Sequence, residues 1–426
     1  MRKKHFLFAS VLALLCGSST LHAQDFKLTS SGYFKNQGVD VMAFDDIYPE
    51  GHQGGVCIIM NGHRVATNGD IRLEATPGQW QPVPKQLDRK LGDNSITATL
   101  CYPDSSRHLT GFNPMIYPDL HLIYTVNVES KGKNIEVTVD LDRPIPQEFI
   151  GKVGFNLEFF PGSLFGKPWI MDGQSGIFPQ QPNSPLMTTQ PNYLHTGNYH
   201  DGKKSLADMD KLIGKGYSPI VADDIISEPY AKGTKFTSRP DDPYNKVTIE
   251  SLSGDLQLFD GRMNHNNGWF VLRSNIKPGV TKGAVKWIIT PNVVADWMYQ
   301  PVIQTSQIGY HPTQDKEAVI EMDIRDNRKE TAQIIRIDAD GEKVVKNVTP
   351  ANWGKFLRYN YLKVNFTDVK EPGLYKIKYN TSVSPIFRID NDVYARGVWQ
   401  PVLEYFLPVQ MCHMRVNEKY RVWQDR

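Results

Sequence analysis

The chain has 426 residues, of which 40% are hydrophobic and 22% charged, and its formal net charge is +2. A chain of this length is expected to fold as two or three domains of roughly 100–200 residues. The near-neutral charge argues against nucleic-acid binding, which requires a basic surface. No interior apolar run reaches the about 18 residues that a membrane-spanning helix needs, so no span is predicted.

Residues 1–23 have the pattern of a cleaved signal peptide. A basic start at residues 2–4 is followed by an apolar stretch at 6–15 and a small-residue cleavage site at 21–23. Cys16 offers an alternative, a lipoprotein anchor, although Leu15 before it is larger than lipoprotein processing prefers. We expect an exported protein, located in the periplasm, at the cell surface or outside the cell.

Residues 24–300 show many short strands separated by Gly, Asn, Asp and Pro. Residues 134–142 alternate between apolar and polar side chains, and 122–128 are predicted to pair with them antiparallel through a turn at 130–133. Further strands are predicted at 247–252, 269–274 and 285–289. Only 203–214 has a brief helical pattern. Many strands and few helices predict a large β-sandwich.

The segment 161–199 interrupts this rhythm, because it is rich in Pro, Gly, Asn and Gln. A long irregular segment inside a compact domain is often functional, and aromatic rings suit the apolar faces of sugars. The residues of possible glycan contact are Phe165, Trp169, Tyr193 and Tyr199. The alternative is that these rings anchor a long loop to the sandwich.

Cys57 and Cys101 both lie in strand-like runs of this domain. In an exported protein a disulfide between them would close a long loop and stabilise the fold by about 3–4 kcal/mol in the chain-entropy estimate. The alternative is a pair of thiols that behave as small core hydrophobes. The sequence leaves both interpretations open.

Residues 301–390 have the size and strand rhythm of an immunoglobulin-like sandwich. The predicted strands are 317–324, 332–337, 361–366, 374–379 and 386–389. Asp338-Ala339-Asp340-Gly341 resembles the start of a calcium loop, but the remaining ligand spacing is absent. Because Asp-Gly between two strands is typical of a hairpin turn, we predict a turn and no metal.

The residues after 390 predict a helix with one apolar face. Asp390 or Asn391 is a suitable N-cap, whereas Pro401 and Pro408 predict a kink or an early break. The residues of the apolar face are Tyr394, Val398, Val402, Tyr405, Phe406 and Val409. Because a helix is stabilised mainly by burial of such a face, we expect it to pack on residues that this chain lacks.

Short motifs occur in a fixed order along this second half of the chain. The first is Ser306-Gln307-Ile308-Gly309-Tyr310-His311-Pro312, followed by Lys316 and Ala318. The later pieces are Asn365-Phe366-Thr367, Gly373-Leu374-Tyr375, Phe387-Arg388-Ile389, and Tyr405-Phe406 with Gln410 and Cys412. Together they resemble the immunoglobulin-like domain and first barrel helix of family nine glycoside hydrolases, the cellulases. Ser306 and Met411 stand where that family usually has Asn and Arg.

The strand pattern and the resemblance together predict a mostly β chain with four parts. These are a signal peptide at 1–23, a large β-sandwich at 24–300, an immunoglobulin-like sandwich at 301–390, and the start of a truncated (α/α)6 barrel at 391–426. The resemblance also implies an inverting β-glycosidase, whose base and acid carboxyls lie in the barrel. The chain ends before either carboxyl, so no catalytic, cofactor-binding or metal-binding residue is assigned.

We therefore expect the non-catalytic N-terminal part of a secreted, endoglucanase-like hydrolase of β-1,4-glucan or a related polysaccharide. Its expected partners are the polysaccharide and its own catalytic barrel, which the two sandwiches would brace. The alternative is a free-standing extracellular carbohydrate-binding protein without hydrolase activity. A purely structural scaffold would explain the strands but not the ordered motifs.

Overall fold

A computed structural model describes most of the chain. The described residues are 25–45, 55–74, 76–78, 84–102, 121–183, 227–263, 268–395, 397–410, 415–416 and 420–421. They form two compact units, the N-terminal unit (Met1–Trp297) and the C-terminal unit (Met298–Arg426). Both units are built mainly from antiparallel strands, which confirms the mostly β fold class.

The N-terminal unit contains eighteen strands within the described residues. They are β1 (Lys27–Leu28), β2 (Phe34–Asn36), β3 (Val39–Ala43), β4 (Val56–Met60), β5 (His63–Leu73), β6 (Lys85–Leu91), β7 (Ser95–Cys101), β8 (Ile123–Lys131), β9 (Asn134–Leu141), β10 (Val153–Phe159), β11 (Pro168–Met171), β12 (Gln174–Ile177), β13 (Ala231–Gly233), β14 (Lys235–Ser238), β15 (Val247–Ser251), β16 (Leu256–Asp260), β17 (Phe270–Asn275) and β18 (Val285–Pro291). Short 3-10 turns lie at Gln147–Phe149, Pro161–Ser163 and Gly261–Met263.

These strands form two nine-stranded sheets that pack face to face. The first sheet has the order β1-β2-β3-β4-β5-β10-β17-β16-β13, and the second has the order β12-β11-β14-β15-β18-β9-β8-β7-β6. Phe155 of β10 contacts Trp287 of β18 edge to face at 4.9 Å, and Phe159 contacts Phe236 of β14 at 5.8 Å. These ring pairs join the two sheets and place the apolar core between them.

Several sequence predictions for this unit can be compared with the strands. The predicted hairpin is confirmed, because β8 and β9 pair antiparallel with Lys131 opposite Asn134. Gly132 turns this hairpin with a φ of +65°, a conformation that glycine adopts without strain. The predicted helix at 203–214 lies outside the described residues.

Cys57 and Cys101 are thiols rather than the halves of a disulfide. Cys57 is buried on β4 of the first sheet, and Cys101 ends β7 of the second sheet. The structure therefore favours the second of the two interpretations that the sequence left open, namely small residues packed into the sandwich.

Within the described residues, the C-terminal unit consists of a small sandwich followed by one short helix and a two-strand ladder. Its elements are β19 (Val302–Gln304), β20 (Glu317–Asp323), β21 (Ala332–Asp338), β22 (Gly341–Val348), β23 (Ala351–Phe356), β24 (Tyr359–Asn365), β25 (Gly373–Tyr379), β26 (Ser382–Val383), β27 (Phe387–Ile389), α1 (Gln400–Gln410), β28 (Arg415–Val416) and β29 (Tyr420–Arg421). One sheet has the order β19-β20-β24-β23, and the other has the order β22-β21-β25-β26 with β27 paired to β25. All five strands predicted here are present, and the Asp340-Gly341 hairpin is confirmed by the pairing of β21 with β22.

The predicted helix start at Asp390 or Asn391 is wrong, because α1 begins at Gln400. Gly397 has a φ of +76°, which interrupts any helix that began earlier. Pro401 then falls in the first turn of α1, where its missing N–H needs no partner. Within the described residues no helix is long and apolar enough to cross a membrane.

Candidate functional site

The opening motif of the C-terminal unit is built around Tyr310. This ring is 5% exposed and packs edge to face against Phe366 and Phe387, at centroid distances of 5.1 and 5.3 Å. Its hydroxyl accepts a hydrogen bond from Ser306 N (3.0 Å) and donates one to Glu317 O (2.9 Å). Tyr310 therefore ties both ends of the motif to the core, which is a structural role.

Gly309 is required by the path of the backbone beside Tyr310. Its φ is +104°, and a Cβ at this position would overlap the carbonyl oxygen of Arg388. The close approach allows Tyr310 N to donate to Arg388 O (2.8 Å) and Asp390 N to donate to Tyr310 O (3.1 Å). The glycine thus permits a parallel bridge between the opening motif and β27.

Lys316 completes the same turn. Its ammonium group is buried and donates to Pro312 O (2.8 Å) and to Gln314 O (3.0 Å). A buried ammonium needs acceptors of this kind, so the lysine holds the turn closed. The motif residues that carry the family resemblance therefore build a scaffold rather than a catalytic centre.

The predicted glycan contacts are placed differently from one another. Trp169 on β11 is only 6% exposed, because its ring lies against Gly176 of the neighbouring strand β12. At this position the burial favours the alternative interpretation, in which the ring anchors the loop to the sandwich. Phe165 is half-buried beside Phe270, and its ring centroid lies 5.0 Å from Cζ of Arg262. Its ring therefore anchors the segment to the sandwich. Tyr193 and Tyr199 lie outside the described residues, and contact there stays a prediction.

A buried polar cluster lies on three adjacent strands of the first sheet. The cluster consists of Asp70, Arg72 and Glu74 on or directly after β5, Asn156 and Glu158 on β10, and Arg273 with Asn275 on β17. The sheet register sets Asp70 opposite Asn156, and Asn156 opposite Arg273. Because side chains two residues apart on a strand point to the same side, the pleat brings these groups together.

Glu74 and Arg273 form the centre of the cluster, each about 1% exposed. Glu74 Oε1 accepts hydrogen bonds from Asn156 Nδ2 (2.6 Å) and Arg273 Nη1 (3.3 Å). Arg273 also donates to Glu74 O (2.9 Å), Asn156 Oδ1 (3.1 Å) and Asn275 Oδ1 (2.7 Å). The guanidinium is therefore fully engaged inside the sheet, as a buried charge must be.

Two carboxyl groups of the cluster titrate near neutral pH. Burial raises the pKa of Glu74 to about 7, although the positive charges of Arg273 and Arg72 lower it in part. Burial likewise raises the pKa of Asp70 to about 6, against Arg72 and the hydrogen bond from the Tyr124 hydroxyl (2.9 Å). Carboxyls with such pKa values can accept or release a proton at physiological pH, which is typical of functional sites.

Sequence reasoning missed this cluster. Asp70, Arg72 and Glu74 alternate with Ile71 and Leu73, which is the pattern of a strand with one side in water. The alternation alone does not show that the side of the strand with the polar residues is buried in the fold. Within the described residues, no group of three or more His, Cys, Asp and Glu side chains is arranged to hold a metal ion.

Residues 298–384 match the family model of the cellulase N-terminal ig-like domain. The matched range contains the opening motif and the pieces at 365–367 and 373–375, and it confirms the resemblance predicted from them. The pieces at 387–389 and 405–412 lie beyond it and stay predictions. No curated protein matches the chain at a significant level.

Among solved structures, two similar chains are family nine glycoside hydrolases. A metagenome-derived glycoside hydrolase family 9 endoglucanase is 29% identical over 21% of this chain and 18% of its own, with a TM-score of 0.19. A Bacteroides ovatus GH9 protein is 26% identical over 22% of this chain and 16% of its own, with the same TM-score of 0.19. The chain thus spans less than a fifth of either protein.

A third similar structure covers more of the chain. The Slr1438 protein from Synechocystis sp. PCC 6803 aligns over 68% of this chain and 100% of its own, at 9% identity and a TM-score of 0.30. TM-scores of this size do not establish a shared overall fold. The family assignment of residues 298–384 therefore rests on the family match and on the motif geometry.

Proposed function

We propose that the chain is the non-catalytic N-terminal part of an exported family nine glycoside hydrolase that degrades β-1,4-glucan or a related polysaccharide. The observation that carries this proposal is the match of residues 298–384 to the cellulase N-terminal ig-like domain. The geometry of Gly309, Tyr310 and Lys316 supports it, because each of these motif residues builds the scaffold of that domain.

In this proposal the C-terminal unit braces a catalytic barrel. The apolar side chains of α1 are exposed in this chain, including Val402 (62%), Tyr405 (72%) and Phe406 (52%). Side chains of this kind are normally covered by a neighbouring element. The barrel would supply that cover, and α1 would be the first point of contact.

The carboxylates of the C-terminal unit support a structural role. Glycoside hydrolysis needs one carboxyl as acid and one as base, on either side of the bond. Here Asp323 is held by Arg325 at 2.8 Å, and Asp326 is held by Arg328 at 2.6 Å. Both carboxylates are therefore engaged in local ion pairs, which suits a structural role. We expect the chain alone to be inactive, because in this proposal the acid and base carboxyls lie in the barrel.

A reducing-sugar assay on carboxymethylcellulose tests this proposal. The chain is compared with any longer product of the same gene that carries a barrel, and we expect turnover only from that product. In that product, replacing both Val402 and Phe406 with serine is expected to lower the temperature at which activity is lost, while Val383→Ser, an exposed valine on β26 (49%), serves as the control. Turnover by the chain alone would disprove the non-catalytic assignment.

A second candidate function is carbohydrate binding without hydrolysis. Trp353 and Phe356 on β23 are each 57% exposed, and Trp353 meets Tyr361 of β24 edge to face at 5.6 Å. Tyr361 and Tyr299 both donate to the Glu321 carboxylate, at 3.3 and 2.9 Å. Exposed rings can contact the apolar faces of a sugar, and a carboxylate beside them can accept hydrogen bonds from its hydroxyls. This candidate predicts that the chain binds cellohexaose and that Trp353→Ala abolishes the binding.

Export is part of the same proposal, and residues 1–23 lie outside the described residues. Expression in a bacterial host followed by mass spectrometry of the intact protein is the test. We expect a mature chain that begins at Gln24. A chain that retains residue 1 would contradict export by this signal.

A further inference from the structure

The hairpin of β23 and β24 ends in an exposed apolar tip. Phe356 pairs with Tyr359, so the loop between the two strands has only two residues, Leu357 and Arg358. Phe356 is 57% exposed and Leu357 is 79% exposed, and Trp353 on the same strand is 57% exposed. Large apolar side chains that are grouped at a protein surface, unlike single scattered ones, mark a site of interaction.

The backbone of Leu357 is strained. Its φ is +51°, in a region that a bulky side chain rarely adopts. Four other two-residue hairpins of the chain have a positive φ at the same loop position. Their residues are those that such turns favour, namely Asn61, Gly132, Asp172 and Asn380. A leucine here costs stability while it places an apolar side chain in solvent, and strain of this kind is typical of functional positions.

Basic side chains surround the tip. Lys355 and Arg358 flank it in sequence, and both are exposed. The loop 324–331 lies at the same end of the sandwich, because Asn360 Nδ2 beside the tip donates to Asp326 O (2.7 Å). This loop adds three exposed cations, Arg325, Arg328 and Lys329. Residues 355–358 and 324–331 together are called the hairpin end.

The hairpin end is positively charged at its surface. Its two ranges contain five cations and two carboxylates, Asp326 and Glu330. The Asp326 side chain is only 2% exposed and is paired with Arg328 at 2.6 Å, so it lies beneath the surface. Glu330 is exposed. Cations therefore dominate the surface from which Phe356 and Leu357 project.

The combination of an apolar tip with surrounding cations limits the partner. A neutral glucan offers no counterpart to the cations, and leucine lacks the flat ring that stacks on a sugar. A nucleic acid would suit the cations but would leave the leucine without a partner. A lipid surface satisfies both groups, because apolar side chains enter the interface while Lys and Arg meet anionic headgroups.

We propose that the hairpin end docks the chain on the surface of an anionic lipid bilayer. Phe356 and Leu357 enter the interface, and Trp353 lies behind them at the level of the headgroups, the depth that tryptophan prefers. The five cations face the negative charge of the lipid. The proposal is independent of the hydrolase proposal, because no carboxyl of a glycosidase takes part.

Co-sedimentation of the chain with lipid vesicles tests the proposal. Residues 1–23 are removed, because their apolar stretch would bind lipid by itself. The vesicles contain either phosphatidylcholine alone or phosphatidylcholine with about one-third phosphatidylglycerol. We expect partitioning to be about tenfold or more stronger on the anionic vesicles, and to weaken as NaCl is raised from about 0.1 M to about 0.5 M.

Variants of the hairpin end assign the binding to it. Phe356→Thr keeps a strand-forming residue, and together with Leu357→Asn it is expected to lower partitioning about tenfold or more. Lys355→Gln should lower it about fivefold on the anionic vesicles. The matched controls are Leu374→Thr, at a leucine that is 47% exposed on β25, and Lys370→Gln, at another exposed lysine. Both controls should bind like the original chain.

Thermal unfolding separates a lipid contact from a packing role of Leu357. Because Asn380 adopts nearly the same φ, +52°, in its own hairpin, Leu357→Asn should unfold at the same temperature as the original chain or higher. A drop of several degrees would assign the leucine a packing role and overturn the proposal.

Three binding results would also overturn it. The first is equal partitioning onto the neutral and the anionic vesicles. The second is binding that survives the double change of Phe356 and Leu357 but is lost when Val402 and Phe406 of α1 are replaced with serine. The third is a double variant that loses binding to insoluble cellulose but not to vesicles, which would make the tip a glycan contact.

Discussion

Buried carboxyl groups behave differently in the two units. In the N-terminal unit, burial raises the pKa of Glu74 to about 7 and that of Asp70 to about 6. In the C-terminal unit, burial also opposes ionisation of Asp323, but hydrogen bonds from Arg325 and from the backbone outweigh it and lower the pKa to about 2. A carboxylate kept ionised by local donors stabilises a scaffold. A buried carboxyl whose pKa lies near 7 is available for binding or proton transfer.

Among the variants that test this comparison, Arg273→Met is expected to lower the unfolding free energy most. This change leaves Glu74 buried without its charge partner, and it removes a donor from Asn156 and Asn275. We expect the N-terminal unit to lose about 3–5 kcal/mol of unfolding free energy, the usual result of breaking a buried ion pair. Urea unfolding of the full chain, followed by hydrogen exchange and mass spectrometry, reports the two units separately.

The double variant Arg273→Met with Glu74→Gln is the control for that experiment. The neutral amide no longer needs a cation, so part of the lost stability should return. The C-terminal unit should unfold unchanged in both variants. If Arg273→Met lowers the unfolding free energy by less than about 1 kcal/mol, the buried ion pair contributes no more than a surface pair. The two units would then not differ in their dependence on buried charge.

A smaller loss is expected in the C-terminal unit from Gly309→Ala. The new Cβ would meet the carbonyl oxygen of Arg388 at a φ of +104°, so both strain and overlap oppose it. We expect a loss of about 2–3 kcal/mol, measured by the same urea unfolding. Gly354→Ala is the matched control, because Gly354 has a φ of +125° but nothing within 4 Å of a Cβ. Equal losses in both variants would show that overlap with Arg388 is unimportant.

The sequence was most informative where local chemistry decides the structure. The motif around Gly309 and Tyr310 was recognised by its resemblance to a family, and part of what it builds is local, such as the hydrogen bonds of Tyr310 with Ser306 and Glu317. The hairpin of β8 and β9 was predictable for the same reason, since alternation and a glycine turn suffice. The start of α1 was missed because Gly397, six residues after the expected cap, interrupts the helix.

The buried polar cluster could not be predicted, because its partners are far apart in the chain. Arg273 is 199 residues from Glu74 and 117 residues from Asn156, and the sheet order alone brings them together. A lone arginine in a strand is more often a solvated side chain. The sequence left two interpretations of Trp169 open, glycan contact or anchoring of a loop, and its burial against β12 favours anchoring.

The two units should also respond to pH with opposite signs. Folding raises the pKa of Glu74 and Asp70 above their ordinary values of 4.5 and 3.8, so the folded N-terminal unit binds their protons more tightly. Their contribution is complete at acid pH and is lost as the pH rises through 6 and 7. We expect the N-terminal unit to lose roughly 3–4 kcal/mol between pH 5 and pH 8.

Asp323 acts in the other direction, because its pKa of about 2 lies below its ordinary value of 3.8. Its contribution is complete above that ordinary value and is lost as the pH falls towards 2. Urea unfolding at pH 3, 5 and 8, with amide labelling at one common pH, measures both units. Glu74→Gln should flatten the response of the N-terminal unit between pH 5 and 8. An N-terminal unit that gains stability over this interval would contradict the raised pKa values.

The smallest expected effect is that of Arg325→Ala at pH 7. Arg325 is 43% exposed, and without it the Asp323 carboxylate still accepts hydrogen bonds from Tyr299 N and from the backbone N of residue 325, both at 3.0 Å. We therefore expect a loss below about 1 kcal/mol, as for other partly exposed pairs. The same urea unfolding measures it, with Lys363→Ala, whose partner Glu317 is exposed, as the reference. A loss as large as that of Arg273→Met would mean that both units depend on buried charge, and the distinction between scaffold and site would no longer hold.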